Sequence, residues 1–164
     1  MLSFAQAESE WQINQVRGLW REYERWLGLD LCFQNFEQEL ATLPGKYAPP
    51  DGRLYLAADG ERVAGSVAFR KIGDGVCEMK RLYVRPEFRG RGLGRQLTLM
   101  LIEEARGAGY ARMRLDTLPA KMGRAVEVYR SLGFREVEPY YNSGNNELIF
   151  MELKYSDRFR VSYD

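Results

Sequence analysis

The most constraining feature of this sequence is the stretch from Glu78 to Arg95, where a strand pattern gives way to a glycine- and arginine-rich loop and then to a helix pattern. Residues 76–84 include β-branched and apolar side chains and few breakers, which predicts a strand. Pro86 ends that run because proline cannot donate to a sheet ladder. From Leu93 onward apolar residues recur at i, i+4, i+7 and i+8, which predicts a helix with one buried face.

The start of this helix has no Ser, Thr, Asp or Asn to cap it. Three glycines alternate there with three arginines: Gly90, Gly92 and Gly94 with Arg89, Arg91 and Arg95. Bare glycines leave the first backbone N–H groups of the helix uncovered at its positive end, which is a site for anions. Arginine adds forked donors that suit phosphate. The pattern therefore predicts a ligand with a phosphate or pyrophosphate.

Two common nucleotide-binding motifs do not fit this spacing. A dinucleotide-binding Gly-x-Gly-x-x-Gly motif that starts at Gly90 requires a third glycine where Arg95 stands. A phosphate-binding loop of the NTPase type requires Lys followed by Ser or Thr, and that pair is missing here. The alternative to a phosphate-binding loop is one that only turns the chain or that contacts RNA.

The motif that does fit is Arg89-x-x-Gly92-x-Gly94, preceded by Leu82-Tyr83-Val84. It resembles the acyl-CoA-binding motif of the GNAT superfamily, the Gcn5-related N-acetyltransferases. Downstream, Ala125-x-x-x-Tyr129-x-x-x-Gly133-Phe134 resembles the second conserved block of that family. The resemblance extends over residues 54–153.

The order of predicted elements is β-α-α-β-β-β-α-β-α-β-β. Ser9-x-x-Gln12 has capping-box spacing before the first helix, and Asn35 is the expected cap of the second. This order, together with the resemblance, predicts an α/β (mixed α+β) GNAT-like fold: a central, mixed, mostly antiparallel twisted sheet with about four helices. We expect a single domain over residues 1–154 and a C-terminal tail over 155–164.

The net charge and the histidine and cysteine content of the chain exclude several partners and catalytic mechanisms. The formal net charge of +1 predicts neither a nucleic acid nor a membrane as partner. With no histidine in the chain, a Ser-His-Asp or Cys-His apparatus and a histidine-based zinc site are excluded, and we expect no metal. The two cysteines, Cys32 and Cys77, and the lack of a signal-peptide pattern predict a cytoplasmic protein. Cys77, within a strand, is expected to serve packing.

The resemblance implies acetyl-CoA as co-substrate, held mainly by backbone groups of the central strand and of the glycine-rich loop. The residues it assigns are Leu82, Tyr83, Val84, Arg89, Gly90, Arg91, Gly92, Leu93, Gly94 and Arg95. Lys121 and Arg124 are further candidates for contacts with the phosphates of the cofactor. The alternative is that both belong to a solvated helix start. Family members often carry Asn where this chain has Met122, which puts that cofactor contact in doubt.

The resemblance also implies two catalytic residues. Tyr129 matches the tyrosine with which family members often protonate the leaving thiolate. The alternative interpretation is that Tyr129 is a half-buried helix residue without a catalytic role. Glu78 is the candidate base for the amine, with a water chain or a structural pairing with arginine as alternatives. Strand alternation places Glu78, Lys80 and Leu82 on one face.

The predicted function is transfer of an acetyl group from acetyl-CoA directly to a primary amine of a small molecule or peptide. The aromatic residues that are candidates for lining the acceptor cleft are Tyr23, Trp26, Phe33, Tyr47, Tyr140 and Tyr141. The alternatives are a non-catalytic acyl-CoA sensor of the same fold and an RNA-binding protein. Family members are often homodimers, although nothing in this sequence marks an interface.

Overall fold

The computed structural model describes residues 1–28 and 35–155. The helices are α1 (Glu10–Leu27), α2 (Phe36–Ala41), α3 (Leu93–Gly107) and α4 (Pro119–Ser131). The strands are β1 (Leu2–Gln6), β2 (Arg53–Asp59), β3 (Arg62–Gly73), β4 (Val76–Val84), β5 (Arg112–Thr117), β6 (Arg135–Val137) and β7 (Ile149–Lys154). The predicted order of elements is confirmed. Within the described ranges, no helix has the length and apolar character needed to span a bilayer.

The seven strands form one sheet in the order β1-β2-β3-β4-β5-β7-β6. Only β4 and β5 pair in parallel, and every other neighbouring pair is antiparallel. The predicted fold class is therefore confirmed. Helices cover both faces: Trp20 of α1 and Phe36 of α2 belong to one buried cluster, whereas Leu101 of α3 and Tyr129 of α4 belong to the other. Burying a face of every helix against the sheet is what stabilises such a layered domain.

The ends of α1 agree with the sequence signals, and the start of α2 does not. Ser9 and Gln12 form the reciprocal capping box, and Gly28 ends α1 in the left-handed conformation. The prediction that Asn35 caps α2 through its side chain is wrong. Asn35 itself adopts a left-handed conformation with φ 57° and makes no capping bond from its side chain.

A β-bulge interrupts β4. Ser66 and Ala68 of β3 pair with Tyr83 and Lys80, so β4 has one extra residue opposite Val67. Arg81 takes up the irregularity with φ 61°, a conformation that costs an L-residue about 1–2 kcal/mol.

The bulge changes which side chains share a face. Leu82 belongs to the α3-side core together with Met79, whereas Glu78 and Lys80 lie on the α1–α2 side. The prediction that Glu78, Lys80 and Leu82 share one face is therefore wrong for Leu82. Simple alternation cannot reveal an inserted residue in a strand.

Buried polar contacts hold Arg81 in this conformation. Its Nε and Nη2 donate to Glu39 Oε2 at 3.3 and 3.0 Å. Its guanidinium carbon lies 5.1 Å from the ring centroid of Phe36 and 5.9 Å from that of Trp20. The first two helices thereby fix the geometry of the central strand.

The predicted domain boundary after residue 154 stays a prediction. Tyr155, assigned to the tail, is buried, and its hydroxyl donates to the Ile102 carbonyl at 2.9 Å. The remainder of the predicted tail, 156–164, lies outside the described residues.

The predicted packing role of Cys77 is confirmed, because the residue is fully buried and burial raises the pKa of its thiol. Cys32 lies outside the described residues.

Candidate active site

The two central strands separate soon after they begin. The parallel pairing between β4 and β5 extends only over Val76–Glu78 and Arg112–Arg114. β4 continues to Val84, so its edge from Met79 onward has no partner from β5. An unpaired strand edge offers backbone donors and acceptors to an extended ligand.

A groove of about 670 Å³ begins at this edge and runs over the N-terminus of α3 to the first turns of α4. It brings together every predicted cofactor-binding residue except Arg91. Lys121 and Arg124, further candidates for contacts with phosphate, also line it. Residues widely separated in sequence thus form one continuous surface.

The floor of the groove is the uncapped start of α3. Gly92 is the N-terminal boundary residue, has φ 76°, and provides no side-chain cap. A Cβ added to Gly90, Gly92 or Gly94 would meet nothing within 4 Å, so the space above these amides is open. Backbone N–H groups and the positive helix end thus face a groove, which is the local geometry that an anion site requires, and anion binding here stays a prediction.

The charges that line this groove have one sign. Arg89, Arg95, Lys121 and Arg124 line it, and no acidic residue of the described ranges does. The whole chain has a net charge of only +1, so the concentration of cations is local. A groove with this charge selects an anionic ligand.

The arginines of the loop have partners within the protein. Arg89 Nε donates to the Val84 carbonyl at 2.8 Å, and its guanidinium carbon lies 4.9 Å from the ring centroid of Trp26. Arg95 Nη1 donates to Ser131 Oγ at 2.8 Å. These contacts hold the two guanidinium groups along the wall of the groove.

Arg91 differs from the other two. Its Nη1 lies 3.9 Å from Asp59 Oδ2, and its guanidinium carbon lies 5.7 Å from the ring centroid of Phe88. The Arg91 side chain thus lies outside the groove, and the assignment of Arg91 to the cofactor site, which includes its backbone N–H, stays a prediction. The alternation of Gly and Arg could not tell which guanidinium groups face the ligand.

At its inner end the groove meets a narrow gap between β4 and β5. The gap is about 20 Å³, on the scale of one water molecule. Leu82 and Met122 line both spaces. Tyr129, the predicted general acid, lines the gap and is buried. Burial, with smaller contributions from Tyr23 and Asp116, raises the pKa of Tyr129 well above its ordinary value.

Glu78, the predicted base, does not line the gap. Its carboxylate is 3% exposed, Oε1 lies 3.0 Å from Arg70 Nη2, and Oε2 accepts from the Tyr140 hydroxyl at 2.6 Å. This is the structural pairing with arginine that the sequence left open as an alternative. A base role for Glu78 stays a prediction, without direct contact with the gap.

Sequence reasoning missed Asp116, a carboxylate that does line the gap. Its Oδ2 accepts a hydrogen bond from the Tyr141 hydroxyl. The available signal was its position at the end of β5, the strand that separates from β4. The separation itself, however, is visible only in the sheet pairing.

The aromatic residues predicted to line the acceptor cleft take different positions. Tyr23 lines the gap and Trp26 the groove. Tyr47 is 1% exposed and donates to Glu39 Oε1 at 2.6 Å, so it is a core residue and its assignment to the cleft is wrong. Phe33 lies outside the described residues.

Tyr140 and Tyr141 connect the loop between β6 and β7 to the sheet. Their hydroxyls donate to Glu78 and Asp116, and both rings pack edge-on against Phe150 with centroids 5.1 Å away. This loop therefore lies over the side of the sheet that carries both carboxylates.

A groove for an anionic ligand beside a buried tyrosine agrees with the family match. Residues 13–134 match the profile of the acetyltransferase (GNAT) family. The chain belongs to the GNAT family of acetyltransferases. The predicted family membership and the prediction of an acetyltransferase enzyme are thereby confirmed.

Several relatives resemble nearly the whole chain. An uncharacterized N-acetyltransferase of Schizosaccharomyces pombe is 42% identical over 146 residues, which covers 88% of this chain and 89% of the relative. The IAA acetyltransferase of Azospirillum brasilense is 35% identical over 143 residues, with 85% and 90% covered. Homologues named N-acetyltransferase support the same activity for this chain.

Solved structures support the fold. An acetyltransferase from Streptococcus agalactiae superposes with a TM-score of 0.76 at 21% identity and covers 93% of this chain and 98% of its own. The PaiA N-acetyltransferase of Thermoplasma acidophilum, in complex with coenzyme A, has a TM-score of 0.73 at 17% identity, with 94% and 99% covered. At these identities the similarity establishes a common GNAT fold.

This GNAT chain departs from the family pattern at Met122. The residue has non-helical backbone angles, φ −120° and ψ 35°, that kink α4, and its sulfur lies 3.9 Å from Thr117 Oγ1. Met122 thus lies where the groove meets the gap, and it presents a thioether there. No hydrogen bond from an amide at this position is available to a ligand.

Proposed function

We propose that this protein transfers an acetyl group from acetyl-CoA directly to a primary amine of a small molecule or peptide. The observation that carries the proposal is one continuous space. Its outer part consists of the open N-terminus of α3 and four cationic side chains, and no carboxylate of the described residues lines it. The buried Tyr129 lies at its inner end.

The groove fits each part of the co-substrate. The amides of residues 90–95 receive the diphosphate, and Arg89, Arg95, Lys121 and Arg124 supply the compensating charge. The free edge of β4 at Leu82–Val84 receives the extended pantetheine arm as an additional strand would be received. For that pairing, Arg89 has to give up its hydrogen bond to the Val84 carbonyl.

Tyr129 supports the departure of the thiolate. Since its pKa is raised, the phenol stays protonated at physiological pH and donates a hydrogen bond to the sulfur as negative charge develops there. A donor already positioned in a narrow, buried gap stabilises that charge more than bulk water does. Because a raised pKa makes the phenol a weaker acid, Tyr129 passes its proton to the thiolate only as it receives the proton that the attacking amine loses, and it ends the step protonated.

Neither cysteine is assigned a covalent role. Cys77 is buried in the core with a raised thiol pKa, so it carries little thiolate, the nucleophilic form. Direct attack of the amine on the thioester carbonyl therefore accounts for the chemistry within the described residues. The relatives' names, which range from IAA acetyltransferase to N-acetylaspartate synthetase, point to no single acceptor.

The test is an acceptor screen with purified protein and acetyl-CoA, followed by release of free thiol. Acetylation of at least one amine, saturable in both substrates, is the expected result. If acetyl-CoA binds while no amine in a broad panel releases thiol, catalysis is ruled out and a non-catalytic sensor takes its place.

A further inference from the structure

The groove and the narrow gap meet at a junction that two apolar side chains border. Among the described residues, Leu82 of β4 and Met122 of α4 are the two that line both spaces. Leu82 belongs to the α3-side core, whereas Met122 packs against the cluster that includes α1. A ligand that extends from the groove into the gap therefore passes two side chains that separate clusters hold in place.

Met122 is fixed at this junction at two points. Its backbone N–H donates to the Leu118 carbonyl at 2.9 Å, beside the kink of α4. The hydroxyl of Thr117, a buried residue at the end of β5, lies 3.9 Å from its sulfur. A methionine side chain usually adapts to its surroundings, but moving this one away from the junction gives up the contact with Thr117.

The acyl group of the co-substrate has to lie at this junction. This step rests on the proposed function, in which the diphosphate lies at the start of α3 and the pantetheine arm follows Leu82–Val84. The sulfur at the end of that arm then reaches Tyr129, which lines the gap. The acyl carbons are bonded to that sulfur, so they lie beside Leu82 and Met122.

The gap beyond the junction has no room for a longer acyl chain. Its volume of about 20 Å³ is on the scale of one water molecule, and the nitrogen of the attacking amine needs that space to reach the carbonyl carbon. Methylenes added to the acetyl group therefore take the place of the nitrogen or push Met122 away from Thr117. Inserting methylenes into well-packed surroundings is unfavourable because neighbouring side chains are forced out of their preferred rotamers.

We propose that Met122 limits the transferred acyl group to acetyl. Its thioether contacts the methyl end of the acetyl group and fills the space that a butyryl chain requires. Leu82 borders the same junction, but it is a buried core residue of the central strand, and its backbone is assigned to the pantetheine arm. Met122 is only half-buried, so its truncation opens the junction without removing a core residue.

Binding measurements without an acceptor test the proposal on the unmodified protein. Titration calorimetry compares coenzyme A, acetyl-CoA and butyryl-CoA, which share the diphosphate and the pantetheine arm and differ only beyond the sulfur. An extra methylene in a fitted apolar pocket changes discrimination by about 10- to 200-fold. We expect acetyl-CoA to bind as tightly as coenzyme A, and butyryl-CoA to bind about 10-fold or more weakly than acetyl-CoA.

Three substitutions locate the source of this discrimination. Met122→Ala removes the thioether and should abolish most of the difference between acetyl-CoA and butyryl-CoA, whereas Met122→Leu keeps nearly the same volume and should preserve it. Met100→Ala is the matched control, because Met100 is also a half-buried helix residue and lines neither the groove nor the gap. Thermal melting shows whether each variant is folded.

Turnover gives a second measurement, with the amine that reacts fastest in the acceptor screen. For the unmodified protein, kcat/KM should be about 10-fold or more lower with butyryl-CoA than with acetyl-CoA. Met122→Ala should raise kcat/KM for butyryl-CoA, and Met100→Ala should leave the ratio of the two values unchanged.

The results separate the inference from the function on which it rests. If the unmodified protein binds butyryl-CoA as tightly as acetyl-CoA, no residue limits the chain and the inference is overturned. If folded Met122→Ala keeps the full discrimination, or Met100→Ala removes it equally, Met122 is not the limiting residue and the inference is likewise overturned. If binding follows the expected pattern while no amine is acetylated, Met122 limits the acyl group of a bound thioester and only the proposed function fails.

Discussion

A substitution at Gly92 tests the anion site most directly. Gly92 is the N-terminal boundary residue of α3, lines the groove, and has open space where a Cβ would stand, with nothing within 4 Å. The change Gly92→Glu places a carboxylate in the space assigned to the diphosphate. Two unit charges of like sign 4 Å apart repel by about 4 kcal/mol at an effective dielectric constant of 20. That energy corresponds to a loss of about 1,000-fold in affinity.

Part of the effect is unrelated to charge. Gly92 has φ 76°, so any L-residue there pays about 1–2 kcal/mol of backbone strain in the folded state. Gly92→Gln carries the same strain and nearly the same volume without the charge, and Gly92→Ala carries the strain alone. The difference between the Glu and Gln variants is therefore the electrostatic part.

Titration calorimetry with coenzyme A measures this difference. We expect the Glu variant to bind about 100-fold or more weakly than the Gln variant at low salt. The difference in affinity between the two variants should decrease as salt is raised, because the screening length falls from about 10 Å at 0.1 M to about 3 Å at 1 M. Equal affinities of the two variants, or a difference independent of salt, would refute a diphosphate at this helix end.

Three further outcomes are expected. Tyr129→Phe should lower kcat by about 100-fold or more with little change in KM for acetyl-CoA, and an unchanged kcat in steady-state assays would remove Tyr129 as the acid. Because burial raises the pKa of Tyr129, the phenol stays protonated and kcat should not decline through its ionisation as pH rises to about 10. A decline of kcat near pH 9 that Tyr129→Phe abolishes would contradict the raised pKa. Glu39→Gln should destabilise the fold by about 3 kcal/mol in urea unfolding, since it removes the negative charge beside buried Arg81. Glu37→Gln, at the exposed pair with Arg21, should leave the unfolding midpoint nearly unchanged, and equal effects of the two substitutions would contradict a larger contribution from the buried pair.

Several features of the fold and of the candidate site could be predicted from residues that are close together in the sequence. The uncapped helix start at 90–94 could be predicted from the sequence because a missing cap is a property of neighbouring residues. The capping box at Ser9 and Gln12 and the buried face of α3 are local in the same sense. Tyr129 was found through the spacing of a family motif, and the structure places it beside the groove.

Other features depended on contacts between distant residues. The bulge at Arg81 exists because Glu39, from a separate helix, compensates a conformation that the chain alone disfavours. The same bulge turned Leu82 away from Glu78 and Lys80, which no alternation pattern could show.

The catalytic side of the site was decided in the same way. Arg91 was indistinguishable from Arg89 and Arg95 in sequence, and only tertiary contacts turned it toward Asp59. Lys80 and Asp116 became neighbours of Tyr129 because β4 and β5 separate after three paired residues each. Sequence determines which backbone groups and charges are available, whereas sheet pairing decides which of them face the same space.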